Sequence, residues 1–368
     1  MPGDSCRGPR LREVQGAILR ATRPGEKGPI AQICAVFGPD GRAVETARTT
    51  ARELTISLPC ACPKPTGLPL RRGRWLFGGI GFHHFGHALI FSTARLWALD
   101  QDCGPLDGIL FFDRDTSLGT RPGTTKNLTA ILEVLGIGLP VVTVGQDERV
   151  ETLMVPDEGI STTEALFDGT EVFRRFLRHR IDRGPAPEGH PDLYVSRTKL
   201  GLHRAGLMFE DLIESQLAAA GYHVFHPQRA SLAEQVAAYR AARRIIGVDG
   251  SAMHLVAFAA RPDARVAVLG RRPYYAKAIA SQIRHLSGGA EAVALDTTRE
   301  IHVQATFARS AYPWLWTYAL PDLPGLGNGL AAAGFLPGAP DWGQPDTKTL
   351  TERLARIARR VQSPLVVL

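Results

Sequence analysis

The stretch RIIGVDGSAMHLVAFAA, residues 244–260, decides the fold. RIIGV is apolar and β-branched around one glycine, the composition of a strand buried on both faces, and SAMHLVAFAA has the length and apolar density of a helix. Only Asp249-Gly250 separates them. A strand that feeds directly into a helix is half of a βαβ unit, the building block of a parallel α/β layer. On either side the alternation continues. LYVS, YHVFHP and RVAVLG read as strands, and MFEDLIESQLAAAG and SLAEQVAAYRAARR as helices, the second opened by the capping box Ser231-x-x-Glu234. Residues 186–300 therefore read as a Rossmann-like domain whose ligands lie at the carboxyl ends of its strands.

Toward the N-terminus the pattern is looser. AILRAT and IAQICAVF are extended pieces, and WLFGGI is a buried strand that runs into FHHFGHALIFSTARLWAL, read as one helix from about His84. GILFF, TKNLTAILEVLGI and PVVTV follow as strand, helix and strand, and TEALFDGTEVFRRFLRHRID as a helix. The run Gly184-Pro185-Ala186-Pro187-Glu188-Gly189 is the clearest linker. The expected divisions are thus residues 1–183, residues 184–320, and a tail of residues 321–368 whose helix TKTLTERLARIARRVQ packs back on the first domain.

A chain of 368 residues, 44% hydrophobic and 21% charged, is globular, and its formal charge of +7 favours an anionic partner. The arginines form short knots, among them Arg271-Arg272 and Arg359-Arg360, with neither a basic tail nor an RNA-type aromatic signature, so a phosphate-bearing small ligand ranks above nucleic acid. The five cysteines are irregularly spaced and fit a reducing compartment. Cys60-x-Cys62 lacks the second pair of a zinc site. The opening residues are polar, and no apolar run reaches the ~18 residues of a membrane span. The expected location is cytoplasmic, with peripheral contact to an anionic inner membrane face through the basic surface.

The candidate chemistry gathers at one sheet edge. Where RIIGV ends, the amides of Gly250, Ser251 and Ala252 open a helix and form an anion site at its positive end, the plain alternative being an ordinary turn capped by Asp249 or Ser251. Arg197 and Lys199, with Arg204 behind them, follow LYVS and so reach the same edge, where guanidinium forks suit diphosphate oxygens. His83-His84-x-x-His87 lacks the glutamate of a zinc-hydrolase helix and names no third ligand, so cleft or core histidines are the expectation. Asp113-Arg114-Asp115 mimics the DxD motif of metal-dependent sugar transferases and stands as the alternative to a metal-free site. Trp314 and Trp316 are read as core or domain-contact residues before sugar-stacking ones.

Residues 193–258 resemble glycosyltransferase family 61. The resemblance is carried by Ser196-Arg197, Arg204, Glu210, Glu234-Gln235 and the turn from Gly247 to Ala252, and in the first half by Gly86-His87 and Arg95-Leu96-Trp97. It departs at Asp249, where many members have His, and at Phe91, where many have an acid. The resemblance implies an α/β protein of GT-B type, two Rossmann-like domains facing a central cleft, the C-terminal one holding a nucleoside diphosphate sugar. It implies inverting transfer from a UDP-sugar to a glycan or glycolipid acceptor in surface polysaccharide assembly, with no metal and no cofactor. Arg197, Lys199, Arg204, Glu234, Asp249, Gly250, Ser251, Ala252 and His254 are the expected donor-binding residues, and His87 the expected base. A non-catalytic nucleotide-binding protein of the same fold is the alternative, since Phe91 stands where the acid is missing.

Overall fold

Packing changes within the glycine-proline run that begins at residue 184. In the computed structural model, which describes residues 8–23, 26, 32–51, 54–113, 122–161, 168–201, 204–310 and 313–368, contacts divide the chain into Met1–Gly184 and Pro185–Leu368.

The first unit is built on a six-stranded sheet from β1 (Leu11–Arg20), β2 (Ala35–Phe37), β3 (Leu70–Gly81), β4 (Gly108–Asp113), β5 (Val141–Val144) and β6 (Glu148–Pro156), ordered β2-β1-β6-β3-β4-β5. The four strands from β6 to β5 are parallel, with helix α1 (Pro122–Val134) in the crossover from β4 to β5, while β1 runs antiparallel to both of its neighbours, β6 and β2. The expected second Rossmann-like sheet is therefore a mixed one. Helix α2 (Glu171–Asp182) closes the unit, its N-cap Thr170 accepting from the Phe173 amide.

The helix expected from His84 is broken. One α-turn at Phe85–His87 widens into a π-turn at Ala88–Ser92, and after a bend Leu96–Asp100 is 3-10. Hydroxyls and a buried cation explain the break. Ser92 Oγ donates to the Ile80 carbonyl at 2.8 Å and Thr93 Oγ1 to the Leu89 carbonyl at 2.5 Å, in competition with helical bonding. Arg95 is fully buried, and its guanidinium donates to the carbonyls of Pro156, Thr46 and Arg48 and to Glu158 Oε1. Gly79, at φ +95°, makes room for it, because a Cβ there would lie 2.8 Å from Arg95 Nη1.

The second unit opens with a five-stranded sheet of β7 (Asp192–Val195), β8 (His223–Phe225), β9 (Arg244–Val248), β10 (Arg265–Leu269) and β11 (Glu291–Leu295). All pairs are parallel and the order is β8-β7-β9-β10-β11. The crossovers are α3 (Glu210–Ala219), α4 (Leu232–Ala241), α5 (Ser251–Ala259) and α6 (Tyr275–Leu286). Strand order thus reverses between β7 and β9. A smaller sheet joins the two-residue strand Gly206–Leu207 to β13 (Thr317–Pro321), β12 (Thr298–Gln304) and β14 (Leu365–Val367), followed along the chain from β13 by α7 (Leu323–Ala332) and α8 (Thr347–Val361). The C-terminal helix α8 packs on the core of its own unit. Ile357 joins the same core as Tyr194, Phe209, Ile246 and Tyr318, with Leu350, Leu354 and Val361 packed against it. The apolar positions recur every three to four residues, so one face of α8 covers its own unit.

Candidate functional site

In an open parallel sheet, a ligand crevice forms at the carboxyl ends of the two strands where the order reverses. Here those strands are β7 and β9, and Val195 pairs with Gly247. The residues that leave them, Ser196-Arg197 and Asp249-Gly250, are therefore neighbours. A Cβ on Gly250 would sit 2.7 Å from Arg197 Nη1, so the missing side chain is the space that the guanidinium occupies. The backbone of Gly250 itself is extended, at φ 161°. Glycine is needed there for room rather than for conformation.

Two acids of α3, one turn apart, fix the Arg197 loop. Glu210 Oε1 accepts from the Arg197 amide at 2.6 Å and from the Tyr194 hydroxyl at 3.2 Å. Glu214 Oε2 accepts from the hydroxyls of Ser196 at 2.6 Å and Thr198 at 2.7 Å. Burial pushes the Glu210 carboxyl up to about 6, even though the Arg197 amide, the Arg197 charge and Tyr194 pull the other way. Close enclosure by protein likewise pulls Arg197 downward.

Asp249 faces into the protein and is fully buried. Its Oδ2 accepts from the amides of Arg271 at 2.8 Å and Arg272 at 3.1 Å, and its Oδ1 from Arg272 Nε at 2.8 Å. Arg271 Nε lies 3.2 Å from Oδ1 and donates to the Asp249 carbonyl at 3.0 Å. Burial alone would raise this carboxyl, but Arg272 and Arg271 outweigh it and hold it below the usual carboxylate range. Three guanidinium groups, those of Arg197, Arg271 and Arg272, thus share two carboxylates. Two of their N–H groups, Arg197 Nε and Arg271 Nη1, are buried with no hydrogen-bond partner among the described residues. A guanidinium keeps its proton at neutral pH, and buried donors are almost always paired, so these two stand out as donors without acceptor oxygens. The first turn of α5 adds its own donors, because Gly250 at the N-cap offers no side chain to cap them.

Residues 85–267 match the model of the family described as Glycosyltransferase 61. This chain belongs to glycosyltransferase family 61. A comparison with curated proteins returns no match. The family region takes in His87, Arg95, Arg197, Glu210 and the Asp249–His254 segment, and ends within β10, before Arg271 and Arg272.

Within this family 61 chain the expected donor residues separate into those at the strand-order reversal and those away from it. Arg197, Asp249, Gly250, Ser251 and Ala252 come together there, with Asp249 acting as the counter-ion that holds Arg271 and Arg272 rather than as an exposed contact. Lys199 is exposed and lines a cavity beside Arg197, and Arg204 is exposed outside that lining. Glu234 accepts from the Ser231 amide, which completes the capping box of α4 and gives its carboxylate a helix-stabilising role. His254 Nδ1 meets Gln282 Oε1 at 2.6 Å, tying α5 to α6. Arg271 and Arg272 stood out in the sequence only as a knot of charge. Their place one residue past RVAVLG was the available signal, since that strand ends at the same edge as RIIGV.

In the first unit, His87 is exposed and packs edge-on against Phe82 at 5.5 Å and Phe91 at 5.8 Å, with the His84 ring 4.6 Å away. Phe91 is buried in that aromatic cluster and serves packing there. Arg95 and Trp97 of the family segment are structural, Trp97 donating to the Asp157 carbonyl at 3.0 Å. Asp113 is buried at the end of β4, while Arg114 and Asp115 lie outside the described residues. Trp316 is partly exposed and stacks on Phe307, with ring centroids 5.2 Å apart. Among the described residues no group of three His, Cys, Asp or Glu side chains is placed to hold a metal, and no helix is long and apolar enough to cross a membrane.

Proposed function

We propose that this chain is an inverting, metal-independent sugar transferase of GT-B type. Its donor is a UDP-sugar and its acceptor a glycan or glycolipid of a surface polysaccharide, and it works in the cytoplasm at an anionic membrane face. The carrying observation is the pair of buried, unpartnered guanidinium donors on Arg197 and Arg271, set beside an uncapped helix start where the strand order reverses. A sugar diphosphate brings the acceptor oxygens those donors lack. When the bond between the anomeric carbon and the diphosphate oxygen breaks, negative charge grows on that oxygen, and fixed donors with little water around them stabilise it most. The acceptor hydroxyl attacks the opposite face of the anomeric carbon and gives its proton to a base. His87 is that base in this scheme. The non-catalytic alternative draws on Phe91, an apolar residue where the family resemblance expects an acid.

Calorimetric titration with UDP tests the donor half. Arg197→Ala and Arg271→Gln each remove a charge-assisted contact of about 1.5–3 kcal/mol, so UDP affinity should fall by about 10- to 150-fold. Unchanged affinity in both variants, with unfolding midpoints showing intact folding, would sink the assignment. His87→Ala should keep UDP affinity and lose about 100-fold or more in transfer. Wild-type turnover in that variant would remove His87 as base, and UDP binding without transfer or hydrolysis across donors would favour the non-catalytic alternative.

A further inference from the structure

Helix α8 carries charge that the donor site does not use. Its apolar face is buried in the core, and Arg353 forms a two-pronged pair with Asp211 at 2.8 and 3.0 Å while lying over the Phe209 ring. Arg356, Arg359 and Arg360 are exposed and have no ion-pair partner among the described residues. They line a cavity of about 690 Å3 together with the loop of Arg197, Thr198 and Lys199. Ala205, Leu207, Met208, Tyr318 and Ile357 add apolar atoms to its lining, and its only carboxylates among the described residues are those of Glu210 and the Arg353-paired Asp211.

Two features separate this arrangement from an ordinary cationic helix end. The dipole at a helix C-terminus, worth about half an elementary charge, accounts for cations in the last turn such as Arg359 and Arg360. It accounts neither for Arg356 a turn earlier nor for Lys199 in the same lining. Arg356 and Arg360 are also four apart on the helix, a spacing at which like charges repel. An anion in the cavity would relieve that repulsion. The backbone around the cavity is unusual too: Ala205 and Phe209, at φ 57° and 61°, hold left-handed conformations that non-glycine residues rarely adopt.

We propose that this cavity is a second anion site, distinct from the Asp249 centre, for a phosphate ester carried on an apolar chain. The phosphate lies on Arg356, Arg359, Arg360 and Lys199, and the chain on the Leu207, Met208 and Ile357 surface. Arg197 and Glu210 line this cavity, and Arg197 also abuts Gly250, so the two anion sites meet at the Arg197 loop. The inference draws on the proposed donor site only through that shared loop.

Farnesyl diphosphate below its aggregation concentration, inorganic diphosphate and UDP serve as probes in binding titrations of the full chain. The exposed triple variant Arg356→Gln/Arg359→Gln/Arg360→Gln, which keeps helix-forming residues, should bind farnesyl diphosphate about 10- to 100-fold more weakly and UDP within about threefold of wild type. Lys199→Gln, in the same lining but off the helix, should weaken farnesyl diphosphate in the same direction. Inorganic diphosphate binding as tightly as farnesyl diphosphate would overturn the apolar half, leaving a plain phosphate site. A parallel loss of UDP in the triple variant would overturn the second site, making the cavity part of the nucleotide site, and farnesyl diphosphate binding untouched by either variant would overturn it outright. A wild-type chain that takes farnesyl diphosphate but not UDP would fail the donor assignment and leave this one standing.

Discussion

Asp249→Asn isolates the electrostatics of the candidate site, because the amide keeps the shape of the carboxylate and loses its charge. In the native chain one buried carboxylate accepts from two amides and a guanidinium and lies beside a second guanidinium. Without it, Arg271 and Arg272 are buried cations with no counter-charge at that point, and the asparagine NH2 can meet Arg272 Nε donor to donor. Removing one partner of a buried, hydrogen-bonded ion pair costs about 3–5 kcal/mol. For a unit the size of Pro185–Leu368, each kcal/mol corresponds to about 2–4 °C, so the unfolding midpoint should drop by about 6–20 °C. Urea titration followed by circular dichroism reads the same loss as a shift in midpoint. The pH dependence carries a sign. Because the folded carboxyl is held below its unfolded value of about 3.9, its contribution is complete above that value and is lost as pH falls through the folded pKa. The gap between wild type and variant should therefore stay constant from pH 7 to about 4 and narrow only below. A loss under about 1 kcal/mol at pH 7, or a gap that already closes between pH 7 and 5, would refute the counter-ion role.

Three further outcomes follow from other residues. Glu210 titrates higher folded than unfolded, so stability should fall by about 2 kcal/mol as pH rises from below 4.5 to above 6. Glu210→Gln should abolish that slope, and an unchanged slope would mean another group carries it. Gly250→Ala asks for no new backbone conformation but pushes on the Arg197 guanidinium, so UDP affinity should weaken about tenfold while unfolding free energy moves by no more than about 1 kcal/mol. Equal affinities would show that Arg197 does not need the space. Arg95→Met leaves Glu158 and three carbonyls without their buried donor, and denaturant titration should register a loss of about 3–5 kcal/mol, whereas a near-neutral change would contradict its structural role.

What the sequence made legible was local. Strand RIIGV, its helix and the capping box at Ser231 are written in neighbouring residues, and the alternation around them identifies a parallel sheet with ligands at its carboxyl edge. What stayed hidden depends on partners distant in sequence. Arg271 and Arg272 become a buried pair only because β10 lies beside β9, which brings them to Asp249. The segment after His84 has the apolar density of a helix, but Arg95 takes its partners from residues 46–48 and 156–158, and those contacts override the helical pattern. Glu234 is legible through its place in a capping box, and the structure shows it in that role. The mixed sheet of the first unit escaped notice because nothing in AILRAT reveals that its partner, β6, lies about 130 residues away in the chain.

The carboxyl of Glu210, which holds the Arg197 amide and titrates near 6, makes the site sensitive to protons as well as to anions. An anion docked on Arg197 draws on the positive charge that helps keep Glu210 ionised, so its pKa rises further and some molecules take up a proton on binding. Between about pH 6 and 7 the observed heat of binding then includes the ionisation heat of whatever buffer supplied that proton, and it differs between MES and imidazole at the same affinity. Release of the anion returns the proton to solvent, which couples each binding cycle to the acidity of its surroundings.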